Sequence, residues 1–389
     1  MSIDGANITK LRNFEMTPMI VTNLNLPPEI RYRNENILLC LLIPGPKKHG
    51  LLDTFLYPFV EEMKALDAGI PNIYNSYTDS SFSLHAWLLF VSGDGPASAE
   101  AMGMATPGNA INPCHQCQIK ATKGPGNHYY PCHRPEDFVQ LKPRQNLGAM
   151  IDLWDTHHTA VGKTKLTRLY GITRKSILLE LSSLHFPRSF PLDPMHCILL
   201  NIAPRIVEYW GGKWLQQERQ LAKKIQKAVA SNTSTAIATP EQPFYVISDK
   251  KIWREIGNIQ EGSRASIPQL LGQGPRRIDK HIAGYKAKEW EALLIRDGPI
   301  LFAGIPELAP YLDNFKILGR IHTAAKAWSI SQEDLHRIEV DCTLFVKTHE
   351  MLYYGGKEDR LKTCLTNNHS LLHLGKSVVA IFPPAAYKD

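Results

Sequence analysis

The sequence predicts an α/β fold, a mixed sheet carrying a large α-helical insertion. Three observations predict it. Apolar runs of strand length, Pro18 to Leu24, Asn36 to Ile43 and Leu84 to Ser92, all fall in the first hundred residues. A segment of helical period separates the second run from the third, and from about residue 151 onward the apolar patterns are helical. Two acids, Asp4 and Asp94, each stand directly before a glycine at the end of a strand-like segment.

The opening Ser2-Ile3-Asp4-Gly5 reads as the end of a strand whose beginning the chain does not contain. Pro18 to Leu24 follows, then a turn-rich stretch, then Asn36 to Ile43. That last run is continuously apolar and bounded by Pro44-Gly45-Pro46, which predicts a central strand buried on both faces. Leu52, Phe55, Leu56, Phe59, Val60, Met63 and Leu66 then recur at helical spacing. The order strand, strand, strand, helix, strand is that of a ribonuclease H-like mixed sheet. In that fold the first and fourth strands lie side by side, so Asp4 and Asp94 become neighbours although distant in the chain.

After Asp94 come a Gly-Pro turn, a short helix of small residues and the pair Cys114-His115-Gln116-Cys117. Residues 118 to 165 read as loop, with no regular element before Glu136. Helices are expected at Ile151 to His158, Leu178 to Leu184 and Leu192 to Tyr209, the last with Asp193 as N-cap and Pro194 at the first helical position. Trp214 to Ala230 is an amphipathic basic helix, and Ser231 to Pro243 is the most linker-like segment. Further helices are expected at Lys286 to Ile295, Pro310 to Ala327, Ser331 to Tyr353 and Glu358 to Leu374. The predicted organisation is a core over residues 1–150, with its first strand truncated and a Cys-x-x-Cys loop, a helical insertion over 151–355, and a C-terminal helix over 356–389 that returns to the core.

With 389 residues, 43% hydrophobic and 21% charged, the chain can bury a sizeable core, and disorder is excluded as its main state. A net charge of +7 is a mild excess that leans towards a polyanionic partner. Seven irregularly spaced cysteines with one close pair form an intracellular pattern, not a disulfide framework. The N-terminal M-S-I-D-G-A-N predicts no secretory leader, and no apolar run is long enough to predict a membrane span.

Three constellations carry candidate chemistry. Carboxylates on rigid strands can hold a pair of divalent ions that activate a nucleophile and stabilise a leaving oxygen in phosphodiester chemistry. Asp4 and Asp94 fit by topology; the plainer reading makes each a turn residue before glycine. Cys114 and Cys117 form half of a structural zinc site, and His369 and His373, one helical turn apart, can supply the other half. Cys132-His133 is a rival source of ligands, and small buried cysteines beside a solvated histidine pair are the plainer reading. In Asp193-Pro-Met-His196, His196 can donate to a phosphate or an attacking water while Asp193 supports it from the helix start; a capping Asp and a packed His is the commoner outcome. The basic helix from Arg219 to Lys227 can lie along a DNA backbone or be a solvated face.

Together these pieces resemble the transposase of CACTA-type (En/Spm-like, Tnp2 family) DNA transposons, particularly fungal members. The residues that carry the resemblance are S-I-D-G at Ser2 to Gly5, L-N-L-P-P-E-I-R at Leu24 to Arg31, N-I-L-L-C-L-L-I-P-G-P-K-K from Asn36, and the F-L-Y-P-F-V-E-E-M helix. G-D-G-P-A at Gly93 to Ala97, C-H-Q-C, P-L-D-P-M-H at Pro191 to His196, K-A-K-E-W at Lys286 to Trp290 and the final C-L-T-N-N-H-S-L-L-H continue it in consistent order. The resemblance implies a ribonuclease H-like domain with a D-D-E catalytic set interrupted by a helical insertion. Asp4 matches its first acid, Asp94 its second, Asp193 and His196 its D-x-x-H motif, and Cys114, Cys117, His369 and His373 its zinc ligands. It further implies Mg²⁺ or Mn²⁺ for cleavage and strand transfer, transposon ends and target DNA as partners, a homo-oligomer as a further assembly, no membrane, and a nuclear location.

Two departures bear on activity. The family's third acid is expected in an F-x-x-E-R stretch soon after the histidine pair, and the chain stops at F-P-P-A-A-Y-K-D without it. The N-terminus also begins inside the first strand. The expectation is a transposase-derived protein truncated at both ends with an incomplete metal site. The alternatives are a non-catalytic, zinc-stabilised module that binds DNA or protein, and, more weakly, a zinc hydrolase centred on Cys114 and Cys117, disfavoured because a catalytic zinc keeps an open coordination position.

Overall fold

The computed structural model describes residues 1–3, 5–7, 15–45, 51–106, 110–112, 114–124, 127–132, 147–213, 220, 245–247, 249–268 and 274–381. The chain forms two compact units, the first made of Met1–Asp193 with Lys357–Asp389 and the second of Pro194–Gly356. Residues 147–193 thus pack with the first unit, and the chain leaves it at Asp193 and re-enters at Lys357.

In the first unit, β1 (Ser2–Ile3) and β2 (Ala6–Asn7) pair antiparallel with β3 (Glu15–Thr22), whose other edge pairs antiparallel with β4 (Ile37–Ile43). The register sets Ile3 opposite Met19 and Met19 opposite Leu41, with an irregularity between Met19 and Ile20. On its free side β1 meets a later segment in parallel: Ser2 bridges Ser92, the Ile3 N–H donates to the Ser92 carbonyl at 3.0 Å, and the Ser92 N–H donates to the Met1 carbonyl at 2.8 Å. The Val91 N–H in turn donates to the Ser189 carbonyl at 2.8 Å, so residues 90–92 run between 1–3 and 189. Helix α1 (Leu52–Ala68) buries Leu52, Leu56, Phe59 and Val60, the stripe its helical spacing predicts. These side chains share a core with Ile3, Met19, Ile43, Leu88 and Val91.

Several local expectations are corrected. The run from Asn36 to Ile43 is a strand, but it is not buried on both faces: Leu38 and Leu39 are 56% and 61% exposed. Among the described residues β4 pairs with β3 alone, so it is an edge, and a continuous apolar run does not distinguish an edge from a centre. The expected strand from Leu84 to Ser92 is split. β5 (Ile70–Asn75) and β6 (Ser80–Leu84) make a hairpin that ends at Leu84, and backbone pairing resumes only near Phe90. Within the apolar run only Leu88 and Val91, three apart, are buried, while Trp87 and Leu89 are exposed. The loop expected over 118–165 contains a second hairpin, β7 (Thr122–Gly124) with β8 (Asn127–Tyr129). The helix expected at Ile151 to His158 is α3 (Leu147–Thr156), and the same stretch also holds the start of a helix absent from the sequence expectations, α4 (Ala160–Tyr170). Short polar strands carry no apolar alternation, and α4 has few apolar residues, so neither gives a periodic signal. The helix expected at Leu178 to Leu184 is a 3₁₀ turn over Ile177–Glu180.

Among its described residues the second unit is helical throughout. A π-helical run over Met195–Ile202 continues as α5 (Ala203–Trp210). α6 (Lys250–Ser263), absent from the sequence expectations, precedes α7 (Ala287–Ala292), and α8 (Ala309–Ala325) packs against α9 (Gln332–His349). The Asn314 side-chain amide donates to the Phe345 carbonyl at 3.0 Å, and Arg320 holds both oxygens of Asp341. The core beneath is aromatic: the Trp210 indole N–H donates to the Tyr353 hydroxyl at 2.9 Å, and Trp210 packs edge-on against Phe302. The basic helix expected at Trp214 to Ala230 and the linker at Ser231 to Pro243 lie outside the described residues, apart from residue 220. The architecture is therefore mixed α/β; among the described residues the regular ladders are antiparallel and parallel pairing is confined to the bridge at Ser2 and Ser92.

Candidate metal centre

Cys114 and Cys117 sit on a loop between α2 (Gly95–Ala101) and β7, and His369 and His373 on the last helical segments, α10 (Thr366–Ser370) and the 3₁₀ turn Leu371–His373. A spacing of four residues puts the two imidazoles on one helical face. The fold brings all four side chains together across 252 to 259 positions of sequence. Their ligand atoms lie within 4.8 Å of one another, and all four residues are buried.

The separations match a tetrahedral zinc site. Cys114 Sγ is 3.3 Å from His373 Nε2, Cys117 Sγ is 3.4 Å from His369 Nε2, and the two Nε2 atoms are 3.2 Å apart. Zinc bonds of about 2.3 Å to sulfur and about 2.0 Å to nitrogen place donors about 3.3 Å (N to N) to about 3.6 Å (S to N) apart. Two thiols and two imidazoles drawn into a dry pocket at these distances fit zinc, whose ligands must shed their protons. Burial alone would push the Cys114 thiol up. Its hydrogen bond with Cys117 and the His373 and His369 imidazoles outweigh burial and draw it well below the ordinary thiol range. Cys117 goes the other way, raised by that same hydrogen bond and by burial. The set is closed, with four protein donors, which is the structural and not the catalytic arrangement. The hydrolase reading is disfavoured on that ground.

The surroundings hold the ligands in place. The Gln116 N–H donates to Cys114 Sγ at 3.4 Å, and the Tyr130 ring stacks on His369 with centroids 5.9 Å apart. The Tyr130 N–H donates to the Cys364 carbonyl at 2.9 Å, tying the β8 strand to the segment that leads into α10. Sequence reasoning missed Tyr130; the only signal was its place in N-H-Y-Y-P-C, between the cysteine pair and Cys132. Cys132 is itself fully buried but is not one of the four, and His133 lies outside the described residues.

The acid constellation is less complete. Asp94 caps α2: its Oδ1 accepts from the Ala97 N–H at 2.7 Å, the role a D-G-P-A sequence predicts for a helix start. It stands two residues past Ser92, whose backbone pairs with Ile3. Asp4, the next residue after Ile3 in sequence, lies outside the described residues. Asp193 is the last residue of the first unit and His196 lies in the π-helical run of the second. Among the described residues the Cys/His set is the one cluster of three or more potential metal ligands, so a divalent-ion site at Asp94 cannot be built from them.

Residues 1–134 match the family model described as transposase family tnp2. The matched stretch holds the sheet, α1, Asp94 and both cysteines, and supports a transposase-family relationship. It stops before the histidine pair, so the zinc set joins a residue pair inside the matched region to one far outside it. No curated protein matches the chain. No helix among the described residues is long and apolar enough to cross a membrane.

Proposed function

We propose that this is a CACTA-type transposase-derived protein, similar to fungal members, whose first unit is a ribonuclease H-like core. In this reading Asp94 and Asp4 are the carboxylates of a DNA-processing site, with Asp193 and His196 supporting it. Mg²⁺ or Mn²⁺ at the two acids would polarise a phosphodiester and activate the attacking oxygen. Cys114, Cys117, His369 and His373 hold a structural zinc ion that joins the tnp2-like segment to the end of the chain. DNA is the partner, and a nuclear location follows from acting on it.

One observation carries the reading: within the tnp2-matching stretch, residues 1–3 pair in parallel with residues 90–92, and Asp94 follows at the end of the second of these segments. The strand order around β1, with β3 and β4 on one side and 90–92 on the other, is what supports a ribonuclease H-like core. A second reading, a non-catalytic zinc-stabilised module, is favoured by the Asp94 cap, because an N-cap alone explains an Asp in that position.

Two variants of the full chain separate these readings. Asp94→Asn keeps an N-cap acceptor and removes the charge, whereas Asp94→Ala removes both. If Asp94 is a metal ligand, Asn weakens Mn²⁺ binding, measured by electron paramagnetic resonance, as much as Ala does, and only Ala costs about 1 kcal/mol of stability. Unchanged Mn²⁺ binding in both variants would remove Asp94 from the site and leave the module reading.

A further inference from the structure

Acids occur about once in ten residues of this chain, yet residues 101–135 and 156–179 contain none. The fold lays these two acid-free stretches against each other. The Ala105 N–H donates to the Gly171 carbonyl, the Thr173 N–H to the Gly103 carbonyl, and the Ile111 and Asn112 N–H groups to the Arg168 and Leu169 carbonyls, at 2.6 to 2.9 Å. The Ala121 N–H then donates to the Ile111 carbonyl at 2.8 Å. The end of α4, the segment 110–112 and the approach to β7 are therefore three adjacent passes of backbone. Two spacings of hydrogen-bonded chain put Ala121 about 10 Å from Arg168.

Cations line the outside of this layer. Lys165 and Arg168, three apart on α4, are exposed on one helical face together with Val161 and Thr164. Lys123 is exposed on β7. None of these three cations has an ion pair among the described residues. The flanking cations behave differently: Arg174 and Lys175 are held by Asp53 and Asp152, and Lys163 lies over the Trp154 ring at 4.5 Å. Lys123, Lys165 and Arg168 are thus exposed cations with no ion pair among the described residues, on neighbouring segments of a layer whose two stretches carry no acid of their own.

We propose that these three cations, on α4 and the β7–β8 hairpin, form one basic strip that is a docking surface for the phosphate backbone of duplex DNA. Charge complementarity selects the partner, since unpaired protein cations displace the counterions condensed on a polyanion and release them to solvent. The proposal rests on the reading that this protein acts on DNA and names where the duplex lies on the first unit.

The test uses the full chain, a random-sequence duplex and a salt titration. The triple variant Lys123→Gln, Lys165→Gln, Arg168→Gln is compared with a control that removes three exposed cations of the second unit, Arg254→Gln, Lys280→Gln, Lys288→Gln. Each lost phosphate contact lowers the salt slope by about 0.9 and the affinity about 8-fold at 0.1 M salt. The surface variant is therefore expected to lose several hundred-fold with a slope reduced by about 2.7, and the control less than a few-fold. Equal losses in both variants, or none in the first, overturn the surface and leave the DNA reading standing. Wild type that ignores duplex while binding anionic phosphatidylserine vesicles overturns both. Should the triple variant melt early, the single variants Lys165→Gln and Arg168→Gln, each expected to lose about 8-fold, decide the matter in the same way.

Discussion

Stripping zinc from the Cys/His centre should unfold the first unit while the second survives. The ion would close a loop of 252 residues between Cys117 and His369. Chain-entropy arithmetic for a cross-link of that length gives about 5.5 kcal/mol. The second unit stays folded as one body inside the loop, leaving about 90 free residues, and the logarithm then removes only about 1 kcal/mol. A contribution near 5 kcal/mol rivals the whole stability of an ordinary domain, about 5–15 kcal/mol. For a unit of this size it corresponds to a melting shift of about 10–20 °C. The assay is a thermal melt with and without chelator, alongside metal content by mass spectrometry, on wild type and on His369→Ala with His373→Ala. Wild type should carry one zinc and show two transitions after chelation, the lower one from the first unit, and the double variant should reproduce that profile without chelator. A purified chain with no zinc, or one whose melt is unmoved by both treatments, would refute the staple.

Two further outcomes follow from local geometry. Gly103 sits at φ +70°, and a Cβ there would lie 2.5 Å from the Arg174 carbonyl oxygen, so Gly103→Ala should cost the first unit about 2–4 kcal/mol in urea unfolding; a loss under about 0.5 kcal/mol would mean that the turn relaxes freely. In the second unit the Arg276 guanidinium, 2.7 Å away, holds Glu289 down at about 2 against an ordinary 4.5. A depressed carboxylate contributes stability that is complete above pH 4.5 and is lost as pH falls towards 2. Arg276 is 41% exposed, which discounts the pair to about 1 kcal/mol, so Glu289→Gln should destabilise at pH 7 and match wild type near pH 2. A difference that persists unchanged at pH 2 would assign the effect to packing.

How much was legible in the sequence depended on whether residue type and period spoke together. α1 was readable because Leu52, Leu56, Phe59 and Val60 fall on one helical face and that face is the buried one. The Cys/His cluster was readable because each half keeps its own local spacing, so only the long-range pairing had to be inferred. Burial was not readable for β4: seven apolar residues in a row say strand but not whether a neighbour covers it. The β7–β8 hairpin and α4 were invisible for a different reason. The hairpin sequence, T-K-G-P-G-N-H-Y, has no apolar alternation, and A-V-G-K-T-K-L-T-R-L-Y forms a helix whose end is held by backbone hydrogen bonds to the distant segment 111–112.

The same contrast bears on what the insertion does to the first unit. The chain departs at Asp193 and returns at Lys357, and the ends of that excursion are tied within the first unit by the Leu192 N–H, which donates to Ser377 Oγ at 3.1 Å. His369 and His373 lie in the returning segment and meet Cys114 and Cys117 of the first one, and the Tyr130 N–H donates to the Cys364 carbonyl just before the histidine pair. A unit built from two chain segments separated by 163 residues pays a closure entropy that a contiguous one does not. Four buried donors of zinc-binding type, placed where the second segment meets the first, are positioned to offset that cost. On this argument a zinc ion held by the four residues would offset the cost that the insertion imposes.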